Sequence, residues 1–188
     1  MVEELITKIA RRLDEDEIPY MIIGGQAVLV YGRPRLTRDI DITLGIDTDG
    51  FVLVEKACRK LGLKMLPSEP KDFAGETNVL PAEEPELRVR VDFVFSFSEY
   101  ERQALKRTTQ ITMNDYPVKF ASCEDVIIHK MVAGRAIDEE DVKGMLIKNG
   151  QSVNLGYIKK WLEEFSKIPD HSEILENFNR LLGESPDG

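Results

Sequence analysis

Residues 24 to 42 read GGQAVLVYGRPRLTRDIDI, and their reading decides the fold. Two glycines close the apolar run YMII, a short stretch of helix formers leads to Gly32, and three arginines precede Asp39 and Asp41, which alternate with Ile40 and Ile42. This pattern predicts a buried strand ending at the glycine pair and a short helix opening just after it. It then predicts a second strand with both aspartates on one face and both isoleucines on the other. An Asp-x-Asp is weak by itself. With 14 aspartates among 188 residues about one such pair arises by chance, and the chain has three, at 14 and 16, 39 and 41, and 47 and 49. The first and third sit in polar surroundings that suit a helix end or a turn.

Asp39 and Asp41 differ because their strand is otherwise apolar. Two like charges about 6 to 7 Å apart at Cα repel, and are costly to bury without a compensating cation. One reading is a surface ion network with Arg33, Arg35 and Arg38. The other is a divalent ion, since Mg²⁺ takes hard oxygen ligands and is held by one or two carboxylates together with substrate phosphates. Three features favour the divalent ion. Gly24 and Gly25 lie where backbone N–H groups at a helix start can approach an anion. Thr37 and Arg38 directly precede the carboxylates and suit phosphate oxygens. In ELRVRVDFVFSF, residues 86 to 97, Val89, Val91, Phe93 and Phe95 share one strand face while Arg90 and Asp92 share the other, so Asp92 supplies a third carboxylate on a separate apolar strand.

The remaining chain sets the frame. At 188 residues, 42% hydrophobic and 31% charged, the chain fits a globular domain with a helical appendage. Its net charge of −9 opposes an extended grip on nucleic acid, which depends on many Lys and Arg contacts. A small phosphorylated ligand needs only a local positive pocket. No apolar run approaches the roughly 20 residues of a membrane span, and MVEELITKIARRLDEDE is a charged amphipathic pattern rather than a signal peptide. The expectation is a cytoplasmic protein with no membrane partner. Cys58 and Cys123 lack Cys-x-x-Cys spacing and read as small core residues.

Helical spacing predicts helices over 3 to 13, 50 to 61 ending at Gly62, and 98 to 106 opened by Ser98. TQITMNDYPVKFA predicts a hairpin turning at Asn114 and Asp115. From Ser122, the N-cap of SCED, the pattern is helical: through Lys130 to about Gly134, then 138 to 148, 154 to 167 and 171 to 183. Residues 63 to 88, rich in proline and acid, predict one or two strands joined by loops. The plan is α/β (α+β) over residues 1–121, a helical C-terminal subdomain over 122–184 packed on that core, and a disordered tail at 185–188. Arg135, Asp138 and Asp141 read as an ion network joining two helices, and His129 as a packing residue.

IIGGQAVLVYGRPRLTRDIDI resembles the signature of the DNA polymerase β-type nucleotidyltransferase superfamily: an apolar residue and Gly-Gly, a short helix, then Asp-apolar-Asp-apolar. Residues 26 to 38 separate Gly25 from Asp39, within the family's spacing, and Asp92 in VRVDFVF stands where its third metal-binding carboxylate is expected. SCEDVIIHKMVAGRAIDEEDV is similar to the small prokaryotic members, including those encoded with toxin and antitoxin systems. The resemblance implies a nucleotidyltransferase fold, with a mixed sheet flanked by helices. It implies that Asp39, Asp41 and Asp92 bind two Mg²⁺ ions, with Mn²⁺ as a substitute, and that an NMP passes from an NTP to a hydroxyl on a protein, an RNA end or a small molecule. It further implies that Gly24 and Gly25 cradle the triphosphate, with Thr37, Arg38, Arg33 and Lys130 as substrate-binding residues. An alternative is a non-catalytic or regulatory component, paired with a toxin or antitoxin partner protein, that keeps the fold without turnover.

Overall fold

A computed structural model describes residues 1–96 and 98–184; the tail expected to be disordered lies outside the described residues. Among the described residues the strands are β1 (Tyr20–Ile23), β2 (Ile40–Leu44), β3 (Lys64–Met65), β4 (Val79–Glu84), β5 (Val89–Phe95), β6 (Thr109–Met113) and β7 (Tyr116–Phe120). They form one mixed sheet in the order β3-β4-β5-β2-β1-β7-β6, as the nucleotidyltransferase resemblance implies. The strand of the two aspartates is thus central, antiparallel to β1 and parallel to β5. Ile40, Ile42, Leu44, Val91, Phe93 and Phe95 are all 0% exposed. Burying each such side chain is worth about 1.5–3 kcal/mol, so this set fixes which face of β2 and β5 turns inward. Asp39 itself lies one residue before β2 rather than within it.

Residues group by contact into two units, 1–26 with 37–121, and 27–36 with 122 onward. The first holds the whole sheet. Helix α1 (Val2–Glu15) buries Leu5, Ile6, Ile9 and Leu13 and lies against β6, β7 and the next long helix of this unit. The short α2 (Gly24–Tyr31) begins at Gly24 itself, and the boundary between the units falls within it. Helix α3 (Phe51–Leu61) stops at Gly62, whose φ of +71° is a left-handed cap. The proline-rich stretch holds a helix, α4 (Pro70–Thr77), between its two strands. Pro70 at the first helical position and Asn78 at φ +57° beyond the last residue frame it. Only Ala74 of α4 is buried, so no apolar stripe marked it in the sequence. Helix α5 (Glu99–Leu105) carries the Ser98 to Glu101 capping box, and the hairpin turns at Asn114 and Asp115, both at positive φ.

The second unit packs α6 (Cys123–Ala133), α7 (Ala136–Asn149), α8 (Leu155–Ser166) and α9 (Ile174–Gly183) against one another. Asp125, 0% exposed, accepts hydrogen bonds from the Ser122 hydroxyl and the Tyr157 phenol, tying α6 to α8. The Asn149 amide donates to the Tyr31 carbonyl at 2.7 Å, which holds the end of α2 to α7. No described helix is long and apolar enough to cross a membrane.

Candidate active site

The sheet register assembles the carboxylates. In the antiparallel β1–β2 pair Ile23 stands opposite Asp41, and in the parallel β2–β5 pair Asp41 stands opposite Asp92. Neighbouring strands lie about 4.8 Å apart, so these two side chains rise from adjacent points of one sheet face. Asp39 precedes Asp41 by two residues, and its carbonyl accepts from the buried Gln26 amide at 3.3 Å. Gln26 follows the glycine pair directly. It fastens the backbone of the first aspartate, a role the sequence reading did not assign.

The glycines are forced by space as well as by backbone. Gly24 sits at φ +63°, and a Cβ there would overlap the Asp41 carboxylate. A Cβ on Gly25 would overlap the Thr37 hydroxyl. The start of α2 is therefore pressed against Asp41 and Thr37, with room for backbone only. Gly24→Ala combines left-handed strain with that overlap, and is expected to destabilise by about 2–3 kcal/mol, or roughly 5–10 °C in Tm. Gly62→Ala meets the same strain at φ +71° with nothing within 4 Å, so about 1 kcal/mol is expected. Equal thermal shifts in the two variants would remove the steric part of this account.

Electrostatically Arg90 stands among the carboxylates of Asp92, Asp39 and Asp41. Arg90, two residues before Asp92 and on its face, donates from Nε to both Asp92 oxygens at 2.9 and 3.0 Å. That bond first, and then the charges of Asp92, Asp39 and Asp41, outweigh burial and raise the guanidinium pKa above its ordinary value. Among the described residues no three His, Cys, Asp or Glu side chains already form a metal cage. The donor set itself suits a divalent cation, since carboxylate oxygens are the hard ligands Mg²⁺ takes.

The other expected site residues are distributed as follows. Thr37 lies beside Gly25, while Arg38 is exposed just before Asp39. Arg33, in the second unit, is exposed with its stem against Gly144. Arg35 makes a two-pronged pair with Asp141, at 2.9 and 3.0 Å. Lys130, expected on a phosphate, is 5% exposed, and its ammonium contacts Asp138 at 2.7 Å and Asp141 at 3.0 Å. Arg135 closes the network on Asp138 at 2.6 Å. Charge pairing within the second unit thus occupies Lys130, Arg35 and Arg135.

Residues 2–180 match the family described as nucleotidyl transferase of unknown function (DUF2204). The chain belongs to that family. Solved structures agree on the fold of this nucleotidyltransferase. An antigenic nucleotidyltransferase-like protein from Paracoccidioides brasiliensis aligns at 18% identity over 94% of this chain and 92% of its own, with a TM-score of 0.57. The antibiotic-resistance factor ANT(2'')-Ia aligns at 17% identity over 91% and 96%, with a TM-score of 0.61. The lincosamide antibiotic adenylyltransferase LnuA, in its lincomycin-bound form, aligns at 16% identity over 80% and 97%, with a TM-score of 0.53. No curated protein matches the chain.

Proposed function

We propose that the chain transfers an NMP from an NTP to a hydroxyl acceptor, using divalent cations held by Asp39, Asp41 and Asp92. The observation that carries this reading is the register that sets Asp41 opposite Asp92 while Gly24 leaves only backbone against Asp41. When bound, Mg²⁺ supplies charge neutralisation at phosphate oxygens and lowers the pKa of a hydroxyl beside it. The chain supplies the rest. Backbone N–H groups of Gly24 and Gly25 at the start of α2 face the triphosphate, where the helix dipole favours negative charge. Thr37 and Arg38 hold phosphate oxygens and stabilise charge that develops on them. Asp92 accepts the proton of the acceptor hydroxyl. The acceptor oxygen forms a bond to the α-phosphorus, the bond from that phosphorus to the bridging oxygen breaks, and pyrophosphate leaves.

Lys130 has a structural part in this scheme. Two carboxylates already hold its ammonium, so a phosphate would have to outcompete both.

The test uses the whole protein with Mg²⁺, cell lysate and NTPs labelled at either the α- or the γ-phosphate. Label from the α-position is expected to pass to a lysate component, label from the γ-position is not, and EDTA is expected to stop the transfer. Absence of both nucleotide binding and α-label transfer would sink the reading.

A further inference from the structure

Asp92 is already held by a positive charge of the protein's own. The strand alternation that places Asp92 on the site face of β5 places Arg90 there too, and both Asp92 oxygens accept from its Nε. The Arg90 side chain is 52% exposed and that of Asp92 only 19%, so less packing holds the arginine in place than the carboxylate. Arg90 also lines a cavity of about 600 Å³ in the same unit, together with Phe73 and with Pro81, the register partner of Asp92 on β4. The same cavity is lined by Glu69, Asp72 and Glu76, all exposed. Their spacings of three and four put these acids on one face of α4 and its N-cap. Arg90 therefore holds a site carboxylate and shares a cavity lining with three further acids.

We infer that Arg90 is a displaceable counterion: it occupies Asp92 until a divalent cation binds the site carboxylates, then gives up those oxygens and turns toward the acids of the neighbouring cavity. The inference rests on the divalent-cation reading of the site. A cation that needs the Asp92 oxygens must break the two Arg90 bonds and approach a guanidinium of like charge, so the arginine lowers metal affinity. In return it keeps three close carboxylates compatible with the folded sheet when no metal is present. The acids on α4 shorten the penalty by giving the released guanidinium a new partner.

The test is Mn²⁺ binding to the full chain, followed by the loss of the free-ion electron paramagnetic resonance signal, with no turnover involved. Arg90→Gln is expected to bind Mn²⁺ roughly fivefold more tightly, the upper end for a half-exposed ion pair, and to melt lower than the parent only in metal-free buffer. Arg90→Lys, which keeps the charge but loses the Nε–H shared by both Asp92 oxygens, is expected to fall between them, and it carries the test if the glutamine variant does not fold. Replacing Glu69, Asp72 and Glu76 by their amides is expected to weaken Mn²⁺ binding when Arg90 is present and to change nothing when Arg90→Gln is added, a coupling that a double-mutant cycle reads directly. Unchanged or weaker Mn²⁺ binding in folded Arg90→Gln overturns the inference, as does an equal effect of the three amides in both backgrounds. A parent protein that binds no Mn²⁺ at all overturns the divalent-cation reading itself, and this inference with it.

Discussion

Asp41→Asn is expected to lower nucleotidyl transfer by roughly a thousandfold or more, about 4 kcal/mol of transition-state stabilisation, without lowering the melting temperature. Asparagine has nearly the same shape, so it fits the space that Gly24 leaves beside position 41. What changes is charge. One of three clustered negative charges disappears, which relieves repulsion in the metal-free protein and removes a ligand where the cations are needed. The two effects act in opposite directions on stability and activity, so both are measured on the same preparation. Transfer of α-phosphate label is expected to vanish while Tm stays level or rises. A variant that retains transfer within tenfold of the parent would remove Asp41 from the chemistry.

The largest loss of stability is expected from Lys130→Met. The Lys130 ammonium is 5% exposed between Asp138, 0% exposed, and Asp141, 5% exposed. Removing one partner of a buried pair strands charge in a poorly solvating place, at a cost of about 3–5 kcal/mol. Arg135 still contacts Asp138 and Arg35 still contacts Asp141, so the lower end is expected, about 3 kcal/mol or roughly 6–12 °C in Tm. The loss is also expected to depend on pH. Burial pushes the Asp138 carboxyl up, but hydrogen bonds from Arg135 and Lys130 outweigh it and hold the pKa below its ordinary value. A folded-state value depressed in this way contributes stability that is present above the unfolded value, and is lost as pH falls through the folded one. The gap between parent and variant should therefore be full at pH 7 and narrow below about pH 4. A gap under about 1 kcal/mol in urea unfolding at pH 7 would show that the two arginines suffice without Lys130.

Legibility in the sequence followed periodicity. The central strands could be read because Ile40 and Ile42, and Val89 to Phe95, alternate cleanly with polar residues, and because the glycine pair stands at a fixed distance from Asp39. Helix α4 escaped because one buried alanine leaves no stripe to see. Lys130 escaped for the opposite reason: α6 buries Asp125, Val126, Ile127, Ile128, Lys130 and Met131 in near succession, so position on the helix did not separate inside from outside. The arginines of residues 33 to 38 looked like partners for the aspartates beside them. In the folded chain Arg35 pairs 106 residues away with Asp141, and the arginine that meets Asp92 comes from its own strand. Proximity along the chain offered an ion network as one reading, and for Arg35 the tertiary pairing with Asp141 could not be seen in the sequence. The clue to Arg90 was present in its two-residue offset from Asp92, the same offset that relates Asp39 to Asp41.

The pairing of β2 between β1 and β5 has a further consequence. A slip of one residue in either pairing would send Asp41 toward the interior and expose Ile40 and Ile42, so a mispaired sheet cannot keep the carboxylate cluster at the surface. Recovery of cation binding after denaturation would then report strand alignment at the centre of the sheet, and a bound ion would act as a proofreader, adding its binding free energy only to chains whose strands have come into line.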